Sequence, residues 1–221
     1  MPVSFSGQLV NLMAAGLLLI AFAMLSQRRI LSLINLFAAQ GAVLAASTFI
    51  VAHSTGLEHL YWSGAITVAL KVLFLPWLLH RLIRRLNVKW DIEPLLNIPT
   101  TMIVGLALVV FAFNLAQPIA EMTQGVTRST LGIAMACVML SFVMMITRRK
   151  AVPQVIGFLA MENGLFFAAT SATHGMPMVV ELGIALDVLV GMFVFGVFFF
   201  QIRDTFDSLD LEHLEKLKEP R

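Results

Sequence analysis

Seven stretches of this chain are each long and apolar enough to cross a lipid bilayer. A helical span needs about 20 mostly apolar residues to traverse about 30 Å of hydrocarbon. By that measure spans are expected over about 7–26, 30–52, 59–79, 97–117, 127–147, 152–173 and 177–201. Short turns at His53–Glu58 and His174–Pro177 make the second and third spans, and the sixth and seventh, antiparallel hairpins. Composition leaves no alternative solvent. Of 221 residues 59% are hydrophobic and only 13% charged, against about 25% charged in soluble domains. So much apolar side chain could not be hidden in one water-soluble core of this size. The expected fold is therefore all-α and integral to the membrane, a single membrane domain over 1–221.

The first apolar run is preceded at Met1–Gly7 by no basic segment and is followed by Arg28 and Arg29, which reads as a retained helix rather than a cleaved leader. The single cysteine, Cys137, lies inside an apolar run and allows no intrachain disulfide. Nothing in the basic residues resembles a nucleic-acid footprint. They alternate instead with the spans. Arg28 and Arg29, then Arg81, Arg84, Arg85 and Lys89, then Arg148, Arg149 and Lys150, then Arg203, Lys216, Lys218 and Arg221 all fall on one side. They are thirteen of the fifteen Lys and Arg, and only Lys71 and Arg128 stand apart. The positive-inside rule then places the N-terminus outside and the C-terminus in the cytoplasm.

The sequence also repeats. A span, Arg28-Arg29 and a hairpin in the first half reappear as a span, Arg148-Arg149 and a hairpin in the second. Ala69-Leu70-Lys71-Val72-Leu73 aligns with Ala185-Leu186-Asp187-Val188-Leu189, and Ala39-Gln40-Gly41 falls beside Met161-Glu162-Asn163-Gly164 when one residue is inserted. The organisation expected is two parallel three-helix repeats, 7–93 and 127–202, joined by one extra helix at 97–117. Such repeats often hold a functional site near the bilayer midplane. Residues 203–221 form a polar tail, mixing Asp204, Asp207, Asp210, Glu212, Glu215 and Glu219 with four leucines. It reads equally as a helix lying on a partner and as a solvated segment.

An ionisable side chain at the bilayer centre costs roughly 2.5–3.5 kcal/mol on insertion scales and is rare unless paired or functional. Three lie deep here. At about 1.5 Å per residue, Glu162 is about 15 Å into the sixth span, Asp187 about 15 Å into the seventh, and Lys71 is central in the third. Neutral Gln40 shares that depth in the second. Burial penalises charge on a carboxylate and a neighbouring cation offsets the penalty, so a buried mixture of the two can be poised to load and release protons near neutrality. Acids at one level on adjacent helices could then pass protons by side-chain swings or through water. The competing reading is a buried ion pair of Lys71 with Asp187 that only fixes helix packing.

Glu181, about 6 Å from the outer end of the seventh span, reads as an outer proton port or a wetted interfacial acid. His53, His59 and His174 gather at the outer turns. Gly183, Asp187 and Gly191 follow at i, i+4 and i+8, small residues that let a neighbouring helix approach the acid. No P-loop, dinucleotide fingerprint, zinc motif, CxxC pair or haem-ligand pair is present, so no cofactor or metal is expected in this chain. A retinal-protein reading fails because the only lysine within a span is Lys71, in the third helix rather than the seventh.

Phe158-Leu159-Ala160-Met161-Glu162-Asn163-Gly164, with Val180-Glu181-Leu182-Gly183-Ile184-Ala185-Leu186-Asp187, resembles the component E family of hydrogenase-4 membrane subunits. These belong to energy-converting, complex I-related [NiFe] hydrogenases. The last three spans are similar in turn to the K subunit of respiratory complex I. The resemblance extends over the whole length in helix pattern, while its specific motifs occupy about 158–187. It implies a non-catalytic subunit in a prokaryotic inner membrane, contributing to proton translocation beside antiporter-like membrane subunits and a peripheral redox arm. It implies proton-carrying roles for Glu162 and for Asp187, here one methylene shorter than the family's second glutamate. Gln40 and Lys71 stand where the K-type pattern has acids, so the first repeat is expected to bias the path, with Gln40 as a polar relay. Two alternatives stay open: a subunit of a cation/proton antiporter or other complex I-like assembly without hydrogenase, and a structural scaffold.

Overall fold

A computed structural model of the chain describes residues 5–85, 96–122 and 128–173, together with Gly183, Leu189 and Gly191. The described residues are helical apart from short connections, and six of their helices are long and apolar enough to cross a membrane. This is a multi-pass, all-helical membrane protein. The seventh expected span and the acidic tail fall outside the described residues, save for those three positions.

The spans begin and end within a few residues of where apolar length places them. They are α1 (Phe5–Ser26), α2 (Ile30–Thr55), α5 (Ile98–Met122), α6 (Arg128–Thr147) and α7 (Ala151–Thr173), with the third built from α3 (Glu58–Thr67) and α4 (Leu75–Arg85). Gly56 ends α2 at φ 71°, a left-handed conformation that glycine adopts without steric cost, and its N–H caps the Ala52 carbonyl at 2.9 Å.

Between α3 and α4 the helix does not break but widens into a π-helical stretch, Val68–Phe74. The Leu75 N–H reaches back five residues to the Leu70 carbonyl. Pro76 follows at once. Proline lacks an N–H and its ring crowds the carbonyl four residues back, so it is tolerated in a first helical turn and not in a helix interior. Here it lies inside a continuous helix, and the wide turn before it absorbs the disturbance. Lys71 lies in the middle of this stretch.

Four helices form the centre of the bundle: α1 packs on α2 and α6, and α7 packs on α2 and α6. The third span flanks this square along α2, and α5 flanks it along α6 and α1. Leu17, Leu33, Phe37, Leu44, Leu159 and Phe167 fill the centre. Lipid chains are as apolar as leucine, so close packing rather than water exclusion holds such helices together. Small residues provide the closeness. A side chain at Gly164 would lie 3.2 Å from the Val138 backbone nitrogen and 3.3 Å from the Ala134 carbonyl on α6.

The two arginine loops meet. Arg148, expected only as one of the inner basic residues, is 2% exposed, and its Nη2 donates to the Leu25 carbonyl at 2.7 Å. That carbonyl belongs to the last turn of α1, where backbone acceptors lack helical partners and the helix dipole is negative. Burial lowers the pKa of the guanidinium, yet an arginine in protein stays charged. The latch fixes α1 and α6 with their C-terminal ends together, so the two run in the same direction. Near their other ends the Thr130 hydroxyl donates to Asn11 Oδ1 at 3.1 Å.

Candidate functional site

Among the described residues, a buried polar cluster joins three spans. On α7, Glu162 and Asn163 are consecutive residues of an otherwise apolar run; on α2, Gln40 precedes Gly41; Lys71 comes from the π-helical stretch. All four side chains are buried, none more than 5% exposed. Lys71 Nζ donates to Glu162 Oε1 at 2.7 Å and to Asn163 Oδ1 at 2.9 Å. Asn163 Nδ2 then donates to Gln40 Oε1 at 3.2 Å. The polarity of this chain is self-consistent: an ammonium can only donate, so the amide must turn its oxygen to Lys71 and its nitrogen to Gln40.

Local backbone explains how the groups meet. Gly41 lets α2 approach the third span: a Cβ there would lie 3.1 Å from Lys71 Cβ and 3.4 Å from its carbonyl oxygen. The π turn changes the helical phase at the position that carries the cation, a feature frequent at functional sites. The Phe166 ring, one turn along α7 from Glu162, has its centroid 5.9 Å from Lys71 Nζ and adds a weak cation–π attraction. From the expected seventh span, Gly183 stands against the acid: a side chain at Gly183 would come within 3.3 Å of Glu162 Oε1.

Glu162 Oε2 and Gln40 Nε2 are buried and have no hydrogen-bond partner among the described residues. A buried ionic pair is stable only when geometry is good and the remaining lone pairs are satisfied, and here one carboxylate oxygen of the pair is left uncommitted among the described residues.

The structure thus brings Lys71, Glu162 and Gln40 into one constellation, while Asp187 and Glu181 lie outside the described residues. The ion pair described for Lys71 is with Glu162; the pairing with Asp187 considered from sequence falls outside the described residues. Sequence reasoning quoted Asn163 in a motif but gave it no role. Its signal was a second polar residue directly after a buried acid. Outside the membrane centre, His53 Nδ1 lies 3.5 Å from the Tyr61 hydroxyl in an exposed contact, and His174 is outside the described residues.

Comparison with known proteins finds relatives in sequence. The chain is 34% identical over 212 residues to a Mycobacterium tuberculosis protein, Rv0085, described as uncharacterized, with 96% of each chain covered. It is 27% identical over 191 residues to hydrogenase-4 component E of Escherichia coli, covering 85% of this chain and 82% of that one, and the Shigella flexneri protein of the same description matches equally. No protein-family model matches the chain. No solved structure matches it either.

Proposed function

Because the chain belongs to the family of Mycobacterium tuberculosis Rv0085 and is distantly related to hydrogenase-4 component E, we propose that it is a non-catalytic membrane subunit of a complex I-related, hydrogenase-type complex. It provides one station of a proton path at the midplane. The observation that carries this reading is the buried Lys71–Glu162 pair at 2.7 Å, with one carboxylate oxygen uncommitted.

In the resting arrangement Glu162 is ionised against the Lys71 ammonium. A proton delivered to Oε2 neutralises the carboxylate and removes the Coulomb attraction that holds Nζ. The ammonium keeps Asn163 Oδ1 as an acceptor, so Asn163 and Gln40 guide the cation while the acid is neutral. Return of the proton onward restores the pair. Asp187 is the next carrier and Glu181 the relay toward the outer surface, with the N-terminus outside and the C-terminus cytoplasmic. Hydrogen chemistry belongs to a peripheral redox arm, and antiporter-like subunits adjoin this one in a prokaryotic inner membrane.

The test is proton uptake by the complex reconstituted in vesicles. Glu162→Gln keeps the shape of the cluster and removes the titrating group, so uptake is expected to fall to background. Undiminished uptake would take Glu162 out of the path.

A second reading, a scaffold whose buried pair only locks helices, is favoured by the two hydrogen bonds through which Lys71 ties its span to α7. Exchanging the charges, Lys71→Glu with Glu162→Lys, separates the two. Intact assembly without proton uptake supports conduction; restoration of both supports the lock. Nickel and iron–sulfur content of the co-purifying subunits distinguishes a hydrogenase from a cation/proton antiporter or another complex I-like assembly.

A further inference from the structure

The third span keeps one exposed face among the described residues. Leu75, Leu78, Leu79, Leu82 and Ile83 of α4 are buried in the core. The opposite stripe, Leu73, Trp77, Arg81 and Arg84, is exposed. Spacings of four, four and three put these residues on one helical face. Along it the chemistry changes in order: an aliphatic side chain 63% exposed, an indole 54% exposed, then two guanidinium groups. Arg81 Cζ lies 5.3 Å from the Trp77 ring centroid, which holds the guanidinium over the indole face. Trp77, His80, Arg81 and Arg84 line a half-open cleft of about 510 Å³. His80 Nδ1 is engaged with the Pro76 carbonyl at 2.8 Å, so Nδ1 carries the proton and the ring is fixed in place. Among the described residues neither Arg81 nor Arg84 has an ion-pair partner.

We propose that this cleft binds an anionic phospholipid, with the phosphate between Arg81 and Arg84, the glycerol region against Trp77 and an acyl chain along Leu73. The dimensions fit. The eleven helical steps from Leu73 to Arg84 rise about 16 Å, close to one leaflet of a hydrocarbon core about 30 Å thick. Basic pockets between spans on the positively charged side of membrane proteins are suited to anionic headgroups, and tryptophan favours the interface. A free phosphate would use the arginines alone and leave the aromatic and aliphatic part of the stripe unmatched. The graded stripe therefore selects a lipid over a soluble anion. This inference rests on the membrane fold and is independent of the proton path.

The experiment uses the full-length chain in nanodiscs, with Trp62→Phe and Trp90→Phe leaving Trp77 as the only indole. Its fluorescence is titrated with brominated phosphatidylglycerol or brominated phosphatidylcholine as quencher. Phosphatidylglycerol is expected to quench at the lower mole fraction. Arg81→Gln and Arg84→Gln should each cut that preference about fivefold, while quenching by phosphatidylcholine stays as before and reports an intact fold. Equal quenching by the two lipids would overturn the proposal, as would a preference that survives the double arginine variant. Reversal of quenching by inorganic phosphate would make the cleft a soluble-anion site. Shielding of Trp77 from both lipids in the assembled complex would assign it to a partner subunit. Either result would also overturn it.

Discussion

At Lys71 one ammonium serves a carboxylate and an amide at once, and each contact has its own cost of removal. Losing one member of a buried ion pair costs about 3–5 kcal/mol, because the other charge is left in a poor solvent. Lys71→Met is therefore expected to lower the thermal midpoint in detergent far more than Lys71→Met combined with Glu162→Gln, which removes both charges. Asn163→Leu deletes the bonds to both Lys71 and Gln40, at about 1–3 kcal/mol for the buried polar atoms it orphans. Its midpoint should fall while a Gln40→Leu variant, which strands only one amide hydrogen-bond donor, falls less. Cys137 is 1% exposed, so maleimide labelling in native membranes should be negligible and appear only after denaturation. The acid at Glu162 and the cation at Lys71 were legible as single residues, since charge in an apolar run stands out. Their mutual contact was not, because residues 91 apart in sequence meet only through the packing of separate helices.

Among the elements, the span boundaries were legible because apolar length and flanking arginines are local properties. The π turn was not. Lys71 marks Val68–Phe74 by its charge, but nothing in the segment signals a wider turn, and Pro76 is the nearest local mark of it. Arg148 shows the same limit: its position after a span was plain, but its burial depends on the end of α1, reached through a contact 123 residues away. The π turn and α2 touch at Gly41, where a methyl group would meet both Lys71 Cβ and the lysine carbonyl. Gly41→Ala is expected to push α2 away and cost about 1–3 kcal/mol, as overpacking does, with the lowered midpoint measured by differential scanning fluorimetry. In the reconstituted complex the same variant should slow proton uptake if the pair geometry matters.

For the molecule as a whole, the common direction of α1 and α6 is the structural counterpart of the two Arg-Arg loops. The proposed topology puts those loops in the cytoplasm and the Gly56 turn outside. Reporter fusions after Gln27 and after Gly56 should give opposite signals, and the same signal from both would reverse or break the assignment. The placement of the carboxylate so far along the chain also shapes how the protein is made. A ribosome adding about 5–20 residues per second adds Lys71 roughly 5–20 s before Glu162, 91 residues downstream, can join it. For that interval the newborn lysine must be sheltered by the insertion machinery or drawn up to the headgroups. Chains truncated after α5 should therefore be cleared by membrane proteases, and Lys71→Leu should let the same fragments persist.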